Sequence, residues 1–350
     1  MAATRHDDAC AILLAAYHPA LHLLGISTVY GNSSLTKTTN NALAVLEAIG
    51  KPEVPVFPGA AKPFCRIHHS AVDIHGESGL DGTDLLPVPS RKPLKHVNAI
   101  KEMRDSIMAC APNTAWIVPT GTLTNVALLF ATFPEVVDHI KGLSIMGGAI
   151  GGEFSDVYLG PEYTGKDGQK HKRVGNTTPF AEFNIWCDAE ASNSVFRNPV
   201  LRKKTYLIPL DITHQAVVTK DIREMLLYGL NKSGPQPTRL RRMFNELLMF
   251  FAHTYDTVFA MKEGPPLHDP LAVAILLWNH ADEETRINFD DRGGERWNVD
   301  VVLSGEQVGR TVAVSEKAGI VIPRTLDLKK FWQTLEECME RADQATGKLV

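Results

Sequence analysis

Two adjacent carboxylates, Asp7 and Asp8, follow His6 and lead directly into the apolar run Ala9 to Leu14. Carboxylates at the start of a helix are favoured by its dipole, so capping alone accounts for such a pair. A second acidic start occurs at His268-Asp269-Pro270-Leu271-Ala272, opening an apolar stretch that runs through Trp278. Two such starts in one chain point beyond capping, to a shared cation. Carboxylate oxygens joined by a strand-end carbonyl suit a hard cation, calcium or magnesium, better than zinc. A third group lies in Gly175 to Asn184, where Glu182 and Asn184 flank Phe183. In an extended segment those two side chains share one side. A carboxylate and an amide on one face can grip vicinal hydroxyls, as in a sugar, although a solvated strand edge would look the same. The run Gly147 to Gly152 is not GxGxxG and reads as a tight turn rather than a nucleotide cradle. His68, His69 and His75 read as loop residues rather than a ligand cage.

These groups need a scaffold, and the hydropathy pattern supplies one. Strand-like runs at Leu21 to Val29, Val54 to Phe57, Ala115 to Val118, Leu143 to Met146 and Thr205 to Ile208 alternate with helical patterns. The helical stretches are Ala42 to Ile49, Val97 to Cys110 and Leu123 to Phe130. Such alternation implies crossover connections and a mostly parallel, open sheet with helices on both faces. Ligands then bind beyond the carboxyl ends of the strands. That rule makes site candidates of Tyr30-Gly31-Asn32, Thr120-Gly121 and Asp211-Ile212-Thr213-His214. His68 to Ser90 has the Gly, Asp and Pro content of a lid, and Gly151 to Pro179 is irregular. A long amphipathic helix is expected over Arg239 to Met261. Antiparallel strands are expected at Trp297 to Leu303 and Thr311 to Val314, with a closing helix from Leu326 to Ala342. No internal repeat interrupts this order, so residues 1–350 read as a single α/β domain.

Bulk properties exclude several classes. A formal net charge of -4 speaks against a nucleic-acid partner, and the basic run Lys166 to Arg173 reads as a solvated loop. No apolar run reaches membrane-spanning length, and no signal peptide is read at the N-terminus. Cys10, Cys65, Cys110, Cys187 and Cys338 are scattered without CxxC or zinc spacing, as in a reduced, cytoplasmic protein.

Taken together the motifs resemble the inosine/uridine-preferring nucleoside hydrolases, with likeness to fungal uridine-type members in the longer segment Glu153 to Arg173. The resemblance spans His6 to about His280. It rests on His-Asp-Asp-Ala, Tyr-Gly-Asn, His75-Gly76, Val-Pro-Thr-Gly with Leu-Thr-Asn, Met-Gly-Gly-Ala, Ala-Glu-Phe-Asn, Pro-Leu-Asp-Ile-Thr-His and His-Asp-Pro-Leu-Ala in that order. What it implies is cleavage of the N-glycosidic bond of ribonucleosides by a water held on calcium, in a homodimer or homotetramer. Asp8, the Thr120 carbonyl and Asp269 would be the metal ligands. Asp7, Asn32, Asn176, Glu182 and Asn184 would hold the ribose. His268 would be the acid beside the leaving base, with His75 closing over it.

One departure matters. By the same resemblance, a hydrophobic strand and Asp-x-Asp-Pro-Gly should precede the Asp7-Asp8 pair. Here Ala3 stands where the second Asp is expected, Thr4 replaces the Pro and Arg5 the Gly. That Asp would be both ligand and catalytic base, and general-base help is typically worth roughly 10²–10⁴-fold. The expectation is therefore a sheet without its first strand, from a late start in the gene model, and impaired turnover. A non-catalytic nucleoside- or ribose-binding protein is the alternative from another class. A His-Asp phosphohydrolase would need an all-helical fold, which the β/α alternation contradicts.

Overall fold

The computed structural model describes residues 6–69, 76, 78–152, 154–230 and 236–347. Its first element is the helix His6–Tyr17, buried without break from His6 to Leu14. A helix apolar on every side belongs inside a protein. This one packs against helix Asp269–Ala274 and the terminal helix Leu328–Thr346.

Five strands form the parallel part of the fold, in two pieces. Ile26–Thr28 pairs with Val56–Pro58. Trp116–Ile117, Gly142–Met146 and Thr205–Ile208 form a second sheet in that order. Helices Leu35–Ala48, Ala99–Met108, Thr124–Thr132 and Ala189–Phe196 supply the connections, as parallel pairing requires. The fold is thus the α/β, mostly parallel, open arrangement that the alternation implies. Among the described residues, no strand joins the two pieces. The expected strand Leu21 to Val29 shrinks to Ile26–Thr28. Leu21 and Leu23 pack against the core outside any described strand. Apolar content was read there as pairing, but it serves packing alone.

Asn125 ties the pieces together. Its Nδ2 donates to the Ser27 hydroxyl and the Thr28 carbonyl, each at 2.9 Å, and its Oδ1 accepts from the Ala60 amide at 2.8 Å. Asn125 is fully buried, so truncation would strand main-chain groups away from water. Asn125→Ala is expected to lower stability by about 2–3 kcal/mol, read as a fall in denaturant midpoint at unchanged slope.

The tail matches expectation. Arg296–Val301 and Thr311–Glu316 pair antiparallel, and the terminal helix locks onto Arg239–Phe259 through Arg241. The Arg241 guanidinium donates to Glu336, Glu340 and Asp343 at 2.7–3.0 Å. Within the basic run, Lys166 pairs with Glu306 and His171 with Asp167 on an exposed hairpin, which suits a solvated loop. No helix among the described residues is long and apolar enough to cross a membrane.

Candidate active site

The two acidic helix starts meet. Asp7, Asp8 and Asp269 each offer a carboxylate oxygen within 4.8 Å of the others, and all three residues are fully buried. The meeting follows from helix His6–Tyr17 packing on helix Asp269–Ala274, each beginning at the site. Thr120, three residues beyond strand Trp116–Ile117, meets the group from the sheet side. Its hydroxyl donates to Asp8 Oδ1 at 2.5 Å, and its carbonyl accepts from Asn184 Nδ2 at 3.4 Å. Beneath the acids lies Cys10, whose thiol is pushed far up by burial, with Asp7 and Asp269 adding to the effect. It is inert packing at neutral pH.

Two buried asparagines offer polar atoms of the kind a ligand satisfies. Asn32 is 2% exposed, yet among the described residues neither its Oδ1 nor its Nδ2 has a hydrogen-bond partner; Asn184 Oδ1 is likewise unpartnered among them. Leaving such groups unpaired costs about 1–3 kcal/mol each. Asn184 Nδ2, by contrast, reaches the Met146 carbonyl at 3.3 Å.

Glu182 corrects an expectation. The segment is not extended: Glu182 is the N-cap of helix Phe183–Cys187. Its carboxylate accepts from the amides of Asn184 at 2.8 Å, Gly148 at 2.9 Å and Ile185 at 3.0 Å. Glu182 and Asn184 are brought together by a helical turn rather than by strand alternation. The error was one of period: a short polar-apolar-polar triplet also fits a helix start, where an acidic cap competes successfully for orphan amides. Asn176 is partly exposed, and its Oδ1 accepts from the Phe183 amide at 3.0 Å, hooking the preceding loop to the same helix. Asp211 is not turned toward the acids either. It accepts from the Ile150 and Gly151 amides at 2.8 Å and so pins the glycine turn after strand Gly142–Met146.

His268, 1% exposed, is held at both ring nitrogens. The Thr213 hydroxyl lies 2.8 Å from Nδ1 and the Tyr255 hydroxyl 2.8 Å from Nε2. Tyr255 carried no signal in the sequence, since it reads as one apolar position of a long helix. The Thr120 hydroxyl contact was equally invisible. His75 lies outside the described residues. The loop around it is anchored where it is described: His6 Nε2 to the Asp81 carbonyl at 2.8 Å, and Thr83 to Glu246 at 2.5 Å. His6 itself stacks on Phe250 and Phe251, with centroids at 5.2 and 5.5 Å.

Residues 3–333 match the family described as inosine-uridine preferring nucleoside hydrolase. The chain belongs to that family. Nucleoside hydrolases most similar to it include the uridine nucleosidase of Saccharomyces cerevisiae, 36% identical over 348 residues, 97% of this chain and 94% of that one. A pyrimidine-specific ribonucleoside hydrolase of Shewanella sp. (strain MR-4) is 38% identical over 273 residues, 78% of this chain and 74% of that one. Among solved structures, the purine-preferring ribonucleoside hydrolase from Gardnerella vaginalis superposes with a TM-score of 0.78 at 25% identity, covering 98% of both chains. Nucleoside hydrolases cleave N-glycosyl bonds, and those named here differ in base preference.

His214 stands beside the site, its ring 5.5 Å from that of His268. Its Nδ1 hydrogen donates to the Tyr158 carbonyl at 2.7 Å, while Nε2 has no partner among the described residues. Burial lowers its pKa from 6.5 to about 4, so the folded chain keeps it neutral at pH 7. Between those values the unfolded chain takes up the proton and the folded chain does not. Stability is therefore expected to fall by about 3 kcal/mol as pH drops from 6.5 toward 4. Urea midpoints measured across that range should lose this slope in His214→Gln.

Proposed function

We propose that the chain binds ribonucleosides, uridine or inosine-type, at this site with calcium, and that it hydrolyses their N-glycosidic bond weakly. One observation carries the reading: three buried carboxylates converge at Thr120, whose carbonyl accepts from Asn184, while Asn184 Oδ1 and both side-chain polar atoms of the buried Asn32 have no hydrogen-bond partner among the described residues. Convergent acids suit a hard dication, and unpartnered amides suit ribose hydroxyls. Asp8, Asp269 and the Thr120 carbonyl would hold calcium, which when bound supplies Lewis acidity to a water. Asp7, Asn32, Asn176, Glu182 and Asn184 orient the ribose. Glu182 does so with a carboxylate already fixed by three main-chain amides, so its position needs no reordering on binding. As the C–N bond breaks, charge builds on the departing base. His268, hydrogen-bonded at its two ring nitrogens to Thr213 and Tyr255, would supply a proton to it through one of those hydroxyls.

What limits turnover is the residue at position 3, an alanine where the family resemblance implies an aspartate base. The same residue favours a second reading, a nucleoside-binding protein without catalysis. Both readings place the chain among reduced cysteines in the cytoplasm, as a homodimer or homotetramer. Turnover separates them. With millimolar calcium, slow but measurable release of uracil or hypoxanthine supports the first reading. Uridine binding without release supports the second, and neither binding nor release contradicts both.

A further inference from the structure

A buried hydrogen-bond chain joins the turn that carries Asn32 to the helix that carries Asn184. Tyr30, Thr124 and Asp188 form it, each at most 1% exposed. The Tyr30 hydroxyl lies 3.2 Å from that of Thr124, which donates to Asp188 Oδ2 at 2.6 Å. Thr124 has one hydrogen and the carboxylate takes it, so Tyr30 donates its own. Burial pushes the Tyr30 phenol far up, which keeps that hydrogen in place at neutral pH. Asp188 also accepts from the Phe64 amide at 3.1 Å and the Ala191 amide at 3.2 Å.

Each end of the chain sits close to one asparagine. Tyr30 stands two residues before Asn32, in the turn after strand Ile26–Thr28. Its amide donates to the Ala60 carbonyl at 3.1 Å, and its carbonyl accepts from the Thr122 hydroxyl at 3.2 Å. Asp188 follows helix Phe183–Cys187, which carries Asn184, and caps the next helix, Ala189–Phe196, through the Ala191 amide. That cap needs only one carboxylate oxygen. The other reaches Thr124, 64 residues away in sequence and at the start of helix Thr124–Thr132. Asn32 has no side-chain partner among the described residues, so the backbone that carries it sets its aim. Tyr30 fixes that backbone through its amide, its carbonyl and its hydroxyl.

We propose that Tyr30, Thr124 and Asp188 are positioning residues, which hold the Asn32 turn and the Asn184 helix in one fixed relation so that both amides meet the same ribose. The ribose clause rests on the function proposed above; the link between the two segments does not. Binding groups held in place before the ligand arrives cost less to order on binding. Removing one hydroxyl from the chain therefore costs affinity through Asn32 rather than through any contact of its own with the ligand.

The test has two arms, run on the full chain with Tyr30→Phe, Thr124→Val and Thr124→Ser. The first is amide hydrogen exchange without ligand. Tyr30→Phe and Thr124→Val should speed exchange at least tenfold both in the turn at Tyr30 to Ser33 and in helix Phe183–Cys187, while helix Arg239–Phe259 keeps its rate. Thr124→Ser, which restores the hydroxyl, should return both segments to the parent rate. Faster exchange in one segment alone, or in the whole chain, would overturn the link. The second arm is uridine titration in millimolar calcium, where Tyr30→Phe should raise the Kd at least tenfold. In an Asn32→Ala background the same change should add less than twofold, because the hydroxyl acts through Asn32. Fully additive losses would overturn the positioning role. Absence of uridine binding in the parent chain would overturn the ribose clause, and the exchange arm would still decide the link.

Discussion

Placing Asp, Pro and Gly at positions 3, 4 and 5 (A3D, T4P, R5G) is expected to raise base release from uridine or inosine by roughly 10²–10⁴-fold, the usual worth of a positioned general base. Position 3 lies four residues before Asp7 and five before Asp8, both of which are already buried at the acid cluster. A carboxylate added there would take the proton of the attacking water, a task none of the existing acids is free to do while holding calcium or ribose. Uridine affinity should change far less, because Asn32 and Asn184 are untouched. The comparison is a kcat ratio at saturating uridine with millimolar calcium. A rise in binding with no rise in kcat would place the defect elsewhere.

Calcium should also stabilise the fold, and Asp269→Asn should remove that gain. Like charges 4.8 Å apart repel by about 3 kcal/mol per pair at an effective dielectric near 20, a load that a dication reverses. At a calcium concentration one hundred times the Kd, linkage adds about 2.7 kcal/mol to unfolding. Thermal scans in calcium and in chelator should therefore differ by several degrees for the parent chain. Loss of one charged ligand should weaken calcium by at least the 10–100-fold typical of outer-shell changes, leaving little shift. Magnesium should serve poorly, since it demands near-octahedral geometry and gives up its waters reluctantly. An equal shift in Asp269→Asn would remove this residue from the ligand set.

Much of the site was legible because its chemistry sits at helix and strand ends. Asp7 and Asp8 lie in the first turn of one helix, Asp269 opens another and Thr120 follows a strand, all ends of elements that the hydropathy pattern marks. Glu182 was singled out from the sequence, but its geometry was not legible. A triplet cannot show whether its period is 2 or 3.6. Tyr255 was missed, and Thr213 was read only as part of a candidate cluster, because orienting His268 depends on contacts 13 and 55 residues away in sequence, which leave no local trace. The shortening of the expected strand Leu21 to Val29 to Ile26–Thr28 is also beyond local pattern, since Leu21 to Gly25 is as apolar as a strand yet joins none.

The most direct measurement is calorimetric titration of uridine into the chain, with millimolar calcium and with chelator, for the parent and for Asn32→Ala. A site built from the acid cluster and the unpartnered amides should give saturable uridine binding in calcium, little in chelator, and a loss of at least tenfold in Asn32→Ala. Uridine binding of equal strength in chelator, or unchanged by Asn32→Ala, would contradict it.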